Sequence, residues 1–138
     1  MTYFRLMLIA VTALVGASLG AQFGPFGTET QVNQVTANGQ ATDYSGRSIG
    51  MDSSGRYVVA WTSFLQDTDG DGVFARRYAA DGTPLGGEFQ VNTFITGDQR
   101  NPAVAVAANG NFVIVWESNQ QDGDLLGVFG QLYDSNGS

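Results

Sequence analysis

The loop at residues 67–72 has the residue types and spacing of a calcium site. Asp67, Asp69 and Asp71 stand at alternate positions, with glycines among the residues between and after them. Alternate carboxylates on a tight loop can converge on one hard cation, and glycine permits the sharp turn that this convergence requires. The sequence therefore predicts calcium as a candidate cofactor, with these three aspartates as its ligands.

The acidic loop is not a complete EF-hand, although it resembles the calcium loops of EF-hand and some propeller proteins. An EF-hand has glutamate at the twelfth position, where this chain has Tyr78. In the matching loop further along the chain, Asp122 and Asp124 remain, but Leu126 replaces the third carboxylate. A polar hairpin loop that uses aspartate and glycine for turn geometry explains the same residues without a metal.

Two tryptophans are candidate ligand contacts. Trp61 and Trp116 each lie near the end of an alternating apolar segment. An indole ring can stack on a sugar ring, so both residues are possible carbohydrate contacts. Packing in a hydrophobic core explains the same placement, because large aromatic side chains dominate core energetics.

The composition excludes several chemistries. Without His or Cys, the chain cannot form a Ser-His or Cys-His nucleophile. It also has no Lys, and no phosphate-binding or zinc-binding motif is present. Paired carboxylates could hydrolyse glycosides, but nothing in the pattern marks a pocket around Glu29, Glu88 or Glu117. We therefore expect that the protein is not an enzyme.

The net charge argues against a nucleic-acid partner. Thirteen acidic residues outnumber six basic ones, which gives a formal charge of −7. Phosphate binding depends on cationic side chains, and this chain has few. An acidic surface is compatible with solubility outside a cell and with cation binding.

Almost everything after residue 26 consists of two copies of one pattern. The first copy occupies residues 27–85 and the second occupies residues 86–138. Their opening segments, 27–33 and 86–92, match at an offset of 59 residues. A period of this length predicts a repeat architecture, in which two repeats rarely form a self-sufficient unit.

The offset between the copies changes along the chain. Residues 54–61 match residues 109–116 at an offset of 55 rather than 59. The first copy therefore carries four extra residues, which we place within 34–46.

Each copy contains four segments with the pattern of β-strands. In the second copy they lie at 88–93, 103–107, 111–117 and 127–134, and their counterparts in the first copy lie at 29–33, 48–52, 56–62 and 72–79. Phe112 and Ile114 alternate with Val113 and Val115, so both faces of this strand are apolar and should be covered. The pattern predicts an all-β fold of two four-stranded antiparallel, propeller-like blades. A β-sandwich or a β-solenoid is the alternative.

The second copy carries a resemblance to a known kind of repeat. Its marks are Glu-Phe-Gln-Val-Asn-Thr at 88–93, Pro-Ala-Val-Ala at 102–105, Gly-Asn-Phe-Val-Ile-Val-Trp-Glu-Ser at 110–118, and Gly-Val-Phe-Gly-Gln-Leu-Tyr-Asp at 127–134. This combination resembles the tandem repeats of large secreted or surface-attached bacterial proteins, most of them uncharacterised. The resemblance covers residues 27–138. It implies propeller-like blades and an extracellular or cell-surface location, and it supplies no catalytic residues.

The N-terminus has the features of an export signal. Residues 1–21 comprise a short stretch with one Arg, an apolar run and small residues near a cleavage point. The apolar run of 14 residues is short for a membrane span. A retained hydrophobic helix is the alternative, and only this alternative would place the chain at a membrane. Residues 22–26 form a linker to the repeats.

Taken together, these features predict a secreted structural or adhesive repeat protein. We expect it to assemble with copies of itself through blade faces and strand edges, into a ring or a filament. The alternative is a carbohydrate-binding propeller formed by oligomerisation, with glycans as partners. The sequence stops where the first strand of a third copy would begin. That leaves three interpretations: a truncated reading frame, a two-blade subunit completed by assembly, or a subunit of a longer polymer.

Overall fold

The computed structural model describes residues 27–42 and 46–138, and all of their regular secondary structure is β-strand. The strands are β1 (Gln40–Ala41), β2 (Ile49–Met51), β3 (Tyr57–Phe64), β4 (Asp71–Tyr78), β5 (Phe89–Gln90), β6 (Gln99–Val106), β7 (Phe112–Asn119) and β8 (Leu126–Tyr133). The predicted all-β, antiparallel class is confirmed for this part of the chain. The predicted signal or helix at 1–21 and the linker at 22–26 lie outside the described residues.

The strands form two antiparallel sheets. In the first sheet, β3 is flanked on one edge by β1 and β2 and on the other by β4, and β5 lies beyond β4. In the second sheet, β7 lies between β6 and β8. Within the described ranges, no helix is long and apolar enough to span a membrane.

The two copies have the same strand pairing, which locates the four extra residues of the first copy. Gln40 lies opposite Ser63 in the first sheet, and Gln99 lies opposite Ser118 in the second. Together β1 and β2 correspond to the single strand β6, which has a register shift between Arg100 and Ala103. The extra residues therefore lie between β1 and β2.

The first strand of each copy differs from the prediction. In the second copy this segment is β5, which pairs with β4 of the first copy: Gln90 lies opposite Phe74 and Phe89 opposite Ala75. The second copy thus completes the sheet of the first. The strand predicted at 29–33 is wrong for this structure, because that segment belongs to no sheet. A strand needs a neighbouring edge, and in the described part of the chain no sheet precedes this segment.

Tight turns join the second and third segments of each copy. Gly55 and Gly110 have φ values of 86° and 90°, which glycine adopts without steric cost. In the first copy, the carboxylate of Asp52 accepts hydrogen bonds from Ser54 and Arg56. The bonds from Ser54, followed by those from Arg56, lower the pKa of Asp52 to about 2.

The hydrophobic core lies between the two sheets. Its buried members are Val58, Ala60, Val73, Ala75, Val91, Val104, Phe112, Ile114 and Trp116, and Phe89, Val106, Phe129 and Tyr133 pack against them. The two sheets approach closely at Gly50, where an added Cβ would lie 2.8 Å from Val106 Cγ2. One face of each sheet is therefore covered by the other sheet.

We predict that Ile114→Ala lowers the free energy of unfolding by about 2–5 kcal/mol, because Ile114 is fully buried and the substitution leaves a cavity. Urea denaturation of the purified protein measures this loss. Leu125→Ala is the control, since Leu125 is 74% exposed in a loop, and we expect a change within about 0.5 kcal/mol. Equal losses from the two variants would contradict a core between the sheets.

Candidate functional site

The aspartates of the predicted calcium loop point to different partners. Asp67 is buried, and its Oδ2 accepts a hydrogen bond from Asn92 Nδ2 at 3.0 Å. Asp69 is exposed, and its Oδ2 accepts a hydrogen bond from the N–H of Gly97 at 3.1 Å. These bonds tie the loop to the segment that connects the two sheets, a structural role that the aspartate spacing alone did not indicate.

Asp71, the third aspartate, lies beside a further carboxylate, that of Asp98. Burial raises the pKa of Asp71, the charge of Asp98 raises it further, and Arg100 opposes the shift. A cation at this point would relieve the repulsion. However, in residues 27–42 and 46–138 no group of three or more acidic, His or Cys side chains is placed to hold a metal ion. Calcium binding by this loop stays a prediction.

Asn92 is the centre of a buried polar network at the crossing between the sheets. Besides its bond to the acidic loop, its Nδ2 donates to Gln99 Oε1 at 3.1 Å, and its Oδ1 accepts from the Val73 N–H at 2.8 Å. Because Asn92 lies between β5 and β6, these bonds fix where the chain leaves one sheet and enters the other. The strand and turn pattern of the sequence did not indicate this role. The available signal was an asparagine seven residues before a glutamine in both copies, at Asn33 and Asn92.

Both candidate ligand tryptophans are buried, as core packing predicts. Trp116 belongs to the core between the sheets. Trp61 borders a cavity of about 220 Å³ that Val32 and Gln40 also line. Both indole N–H groups are buried without a hydrogen-bond partner among the described residues. Contact of either tryptophan with a ligand stays a prediction. Trp61 is the better candidate of the two, because it borders this cavity.

A polar cleft of about 340 Å³ is lined by residues of both sheets. Asn101, at the register shift of β6, donates from its Nδ2 to Glu117 Oε2 at 2.8 Å. Asp71 and Arg100 add charged groups, and the exposed ring of Phe64 completes the lining. Such a mixture of amide, charged and aromatic groups can bind a hydroxyl-rich ligand.

The second sheet exposes an apolar face on the side away from the core. We call Val113, Val115, Val128 and Leu132 the second-sheet outer face. Val128 is 79% exposed, whereas Val73, its counterpart in the first copy, is fully buried at 0%. The strand β8 is also at the edge of this sheet, because no described strand pairs with its outer edge. Residues 126–133 contain no charged side chain, although charges commonly protect such edges.

The first sheet has an apolar outer face as well. We call Ile49, Met51, Val59 and Trp61 the first-sheet outer face, of which Trp61 is itself buried at 3% exposure. Ile49 and Met51 are 55% and 59% exposed, whereas Val104, the counterpart of Ile49 in the second copy, is 6% exposed at the contact between the sheets. Exposed apolar surface on both ends of a chain is typical of interaction sites.

Comparison of the chain with family models, with curated proteins and with solved structures finds no match in any of the three.

We predict that saturating calcium raises the melting temperature of the protein and that Asp69→Ala removes the rise. At about 100 times its Kd, a ligand stabilises the native state by about 2.7 kcal/mol. Thermal unfolding followed by circular dichroism, with and without a chelator, measures the effect. Asp124→Ala is the matched control in the second copy and should leave the rise intact. An unchanged melting temperature in the parent protein would rule out the site.

Proposed function

We propose that this protein is a secreted structural or adhesive building block that assembles end to end with copies of itself through propeller-like blades. The first sheet supplies one blade of four strand positions, with β1 and β2 sharing one position. The second sheet supplies three positions of another blade. The pair of exposed apolar outer faces carries this proposal, and the signal-like sequence at 1–21 supports secretion.

The two outer faces are counterparts of the two faces that already pack together inside the chain. Val58, Ala60 and Val73 on the buried face of the first sheet correspond in the repeat to Val113, Val115 and Val128 on the second-sheet outer face. Val104, Val106, Ile114 and Trp116 on the buried face of the second sheet correspond to Ile49, Met51, Val59 and Trp61 on the first-sheet outer face. The second-sheet outer face of one molecule therefore fits the first-sheet outer face of the next molecule.

Aromatic packing follows the same repeat. Phe112 and Tyr133 stack with ring centroids 4.8 Å apart in the second sheet. Their counterparts Tyr57 and Tyr78 stack at 4.9 Å in the first sheet. The stacking geometry that faces the core in one sheet is thus reproduced in the other, which supports one mode of packing repeated along an assembly.

At one position, the contact between two molecules would be more apolar than the contact within the chain. Arg77 Nη1 donates to the carbonyl of Ser135 at 2.9 Å across the two sheets. The counterpart of Arg77 on the second-sheet outer face is the exposed Leu132. Burial of a side chain such as Leu132 or Val128 contributes about 1.5–3 kcal/mol, against which the entropy of association is set. Because the two contacting faces differ, the assembly is heterologous and forms either a ring or a filament.

We predict that Val128→Asp and Ile49→Asp each abolish self-association, because each places a charge on one of the two outer faces. When mixed, the two variants should form a 1:1 dimer and nothing larger, since each retains the face that the other needs. Light scattering after size-exclusion chromatography measures these masses. The parent protein should form larger particles. Their mass should rise with protein concentration if they are filaments, or reach one fixed value if they are closed rings.

Ile95→Asp is the matched control, because Ile95 is exposed, lies between β5 and β6 and belongs to neither outer face. It should assemble like the parent. A monomeric parent would overturn the proposal. A mixture of the two variants that stays monomeric, or a Val128→Asp variant that dimerises alone, would contradict the end-to-end arrangement.

The polar cleft favours carbohydrate binding as a second candidate function. We predict that Asn101→Ala weakens any glycan bound there by about tenfold, because it removes one bond to Glu117 and one donor from the lining. Titration calorimetry with the best ligand of a broad glycan panel measures the affinity, and Gln131→Ala, at an exposed position on β8, is the control. Silence across the panel would exclude this candidate.

A further inference from the structure

We infer that residues 29–33 of one molecule add a fourth strand to the second sheet of a neighbouring molecule. The inference rests on the proposed end-to-end assembly and specifies the contact that joins the copies. The segment belongs to no strand in its own chain, and residues 27–31 are exposed. The outer edge of β8 has no strand partner in the described part of the chain.

The first sheet shows how such a strand binds. Residues 88–92, the counterpart of 29–33, run along the outer edge of β4, and the Val91 N–H donates to the Val73 carbonyl at 2.8 Å. Because the sequence repeats, the same pairing at β8 places Val32 of one molecule opposite Val128 of the next molecule. Addition of a strand to an open sheet edge is a general mode of protein recognition, in which backbone hydrogen bonds supply the affinity.

The turn that follows the donor segment is already formed. Asn33 Nδ2 donates to the Val35 carbonyl at 2.7 Å and to Gln40 Oε1 at 3.1 Å. These bonds reproduce those of Asn92 Nδ2 to the Phe94 carbonyl at 3.0 Å and to Gln99 Oε1 at 3.1 Å. The segment therefore approaches a partner with its local geometry in place, which reduces the entropy lost on binding.

Asn92 makes two bonds whose counterparts Asn33 has still to form. Asn92 Oδ1 accepts from the Val73 N–H, and its Nδ2 donates to Asp67 of the preceding sheet. In a neighbouring molecule, the counterparts of Val73 and Asp67 are Val128 and Asp122. The repeat therefore predicts that Asn33 bonds to the Val128 N–H and to the carboxylate of Asp122. These groups lie on β8 and in the loop before it.

The receiving loop has the geometry that this pairing requires. In the first copy, an added Cβ on Gly72 would lie 2.5 Å from Asp67 Oδ2. In the second copy, an added Cβ on Gly127 would lie 2.8 Å from Asp122 Oδ2. The two carboxylates thus occupy the same place against their strands, and Asp122 is positioned to accept the Asn33 amide.

A further pair of polar residues marks the other end of the donor segment. Gln66 Nε2 donates to Glu88 Oε1 at 2.7 Å, and this bond holds the residue just before β5 to the first repeat of the same chain. The counterparts of these residues are Gln121 and Glu29. Glu29 is exposed in its own chain and is available to Gln121 of a neighbouring molecule.

The donor segment is anchored where it leaves its own chain. The Val32 carbonyl accepts hydrogen bonds from Arg76 Nη1 at 3.1 Å and from the Tyr78 hydroxyl at 3.0 Å. These contacts hold Val32 against the first sheet, so residues 29–31 project from the end of the molecule that carries the first-sheet outer face. This is the end that the second sheet of another copy would cover.

Cysteine cross-linking tests the register, because the natural sequence contains no Cys. Purified Val32→Cys and Val128→Cys proteins, distinguished by a mass tag, are mixed and oxidised in air. We expect mixed disulfide dimers on a non-reducing gel, since the two positions lie opposite each other in the added strand. Leu132→Cys replaces Val128→Cys in the control, four residues out of register, and should give at most a trace of mixed dimer.

The outcomes separate this inference from the proposed function. Light scattering under reducing conditions reports assembly of the same cysteine variants. Assembled particles without mixed disulfides would overturn the strand inference and leave the face packing standing, whereas monomers would overturn both. Homodimers of Val128→Cys would show that two β8 edges pair with each other and would also overturn the inference.

A residue exchange gives a second measurement. Asn33→Asp places a carboxylate against Asp122 and should weaken self-association by at least about tenfold. Adding Asp122→Asn restores an amide–carboxylate pair and should recover most of the affinity, although the local effect of Asn33→Asp within its own turn is unchanged. Failure of the double variant to recover would show that Asn33 and Asp122 do not meet.

Discussion

A sheet that is apolar on both faces has to be covered on both, and this constraint governs the whole molecule. The two sheets satisfy it for one face each, through the core that contains Val73 and Ile114. The opposite faces remain exposed, at Val128 on the second sheet and at Ile49 on the first. Another sheet of the same design could cover each of these exposed faces, which is the physical basis of the proposed assembly.

Strand order makes the two sheets interdependent along the chain. The first sheet is closed at its outer edge by β5, a segment that belongs, by sequence, to the following repeat. The crossing from that segment into the next sheet is held by Asn92, whose bonds reach Asp67 behind it and Gln99 ahead of it. One buried amide therefore couples the edge strand, the acidic loop and the next sheet. Such a fully buried group is costly to leave unpaired.

The acidic loop shows how one motif can satisfy two physical explanations. Alternating aspartates suit a cation, but Asp67 already has a buried amide partner and Asp69 a backbone one. Burial and the neighbouring charge of Asp98 raise the pKa of Asp71, and a cation would relieve that repulsion. The residue types were evident from the sequence. Their directions depended on a segment more than twenty residues away, which spacing within the loop does not encode.

The sequence by itself determined the repeat and the all-β class, because the alternation of apolar and polar residues is a local property. It also indicated that strands with two apolar faces need cover on both sides. Only the tertiary structure decided that Phe89–Gln90 pair with the preceding copy and that residues 29–33 belong to no sheet in the described part of the chain. Strand pairing joins distant segments, so the partner of an edge depends on which neighbour the packed sheets bring beside it.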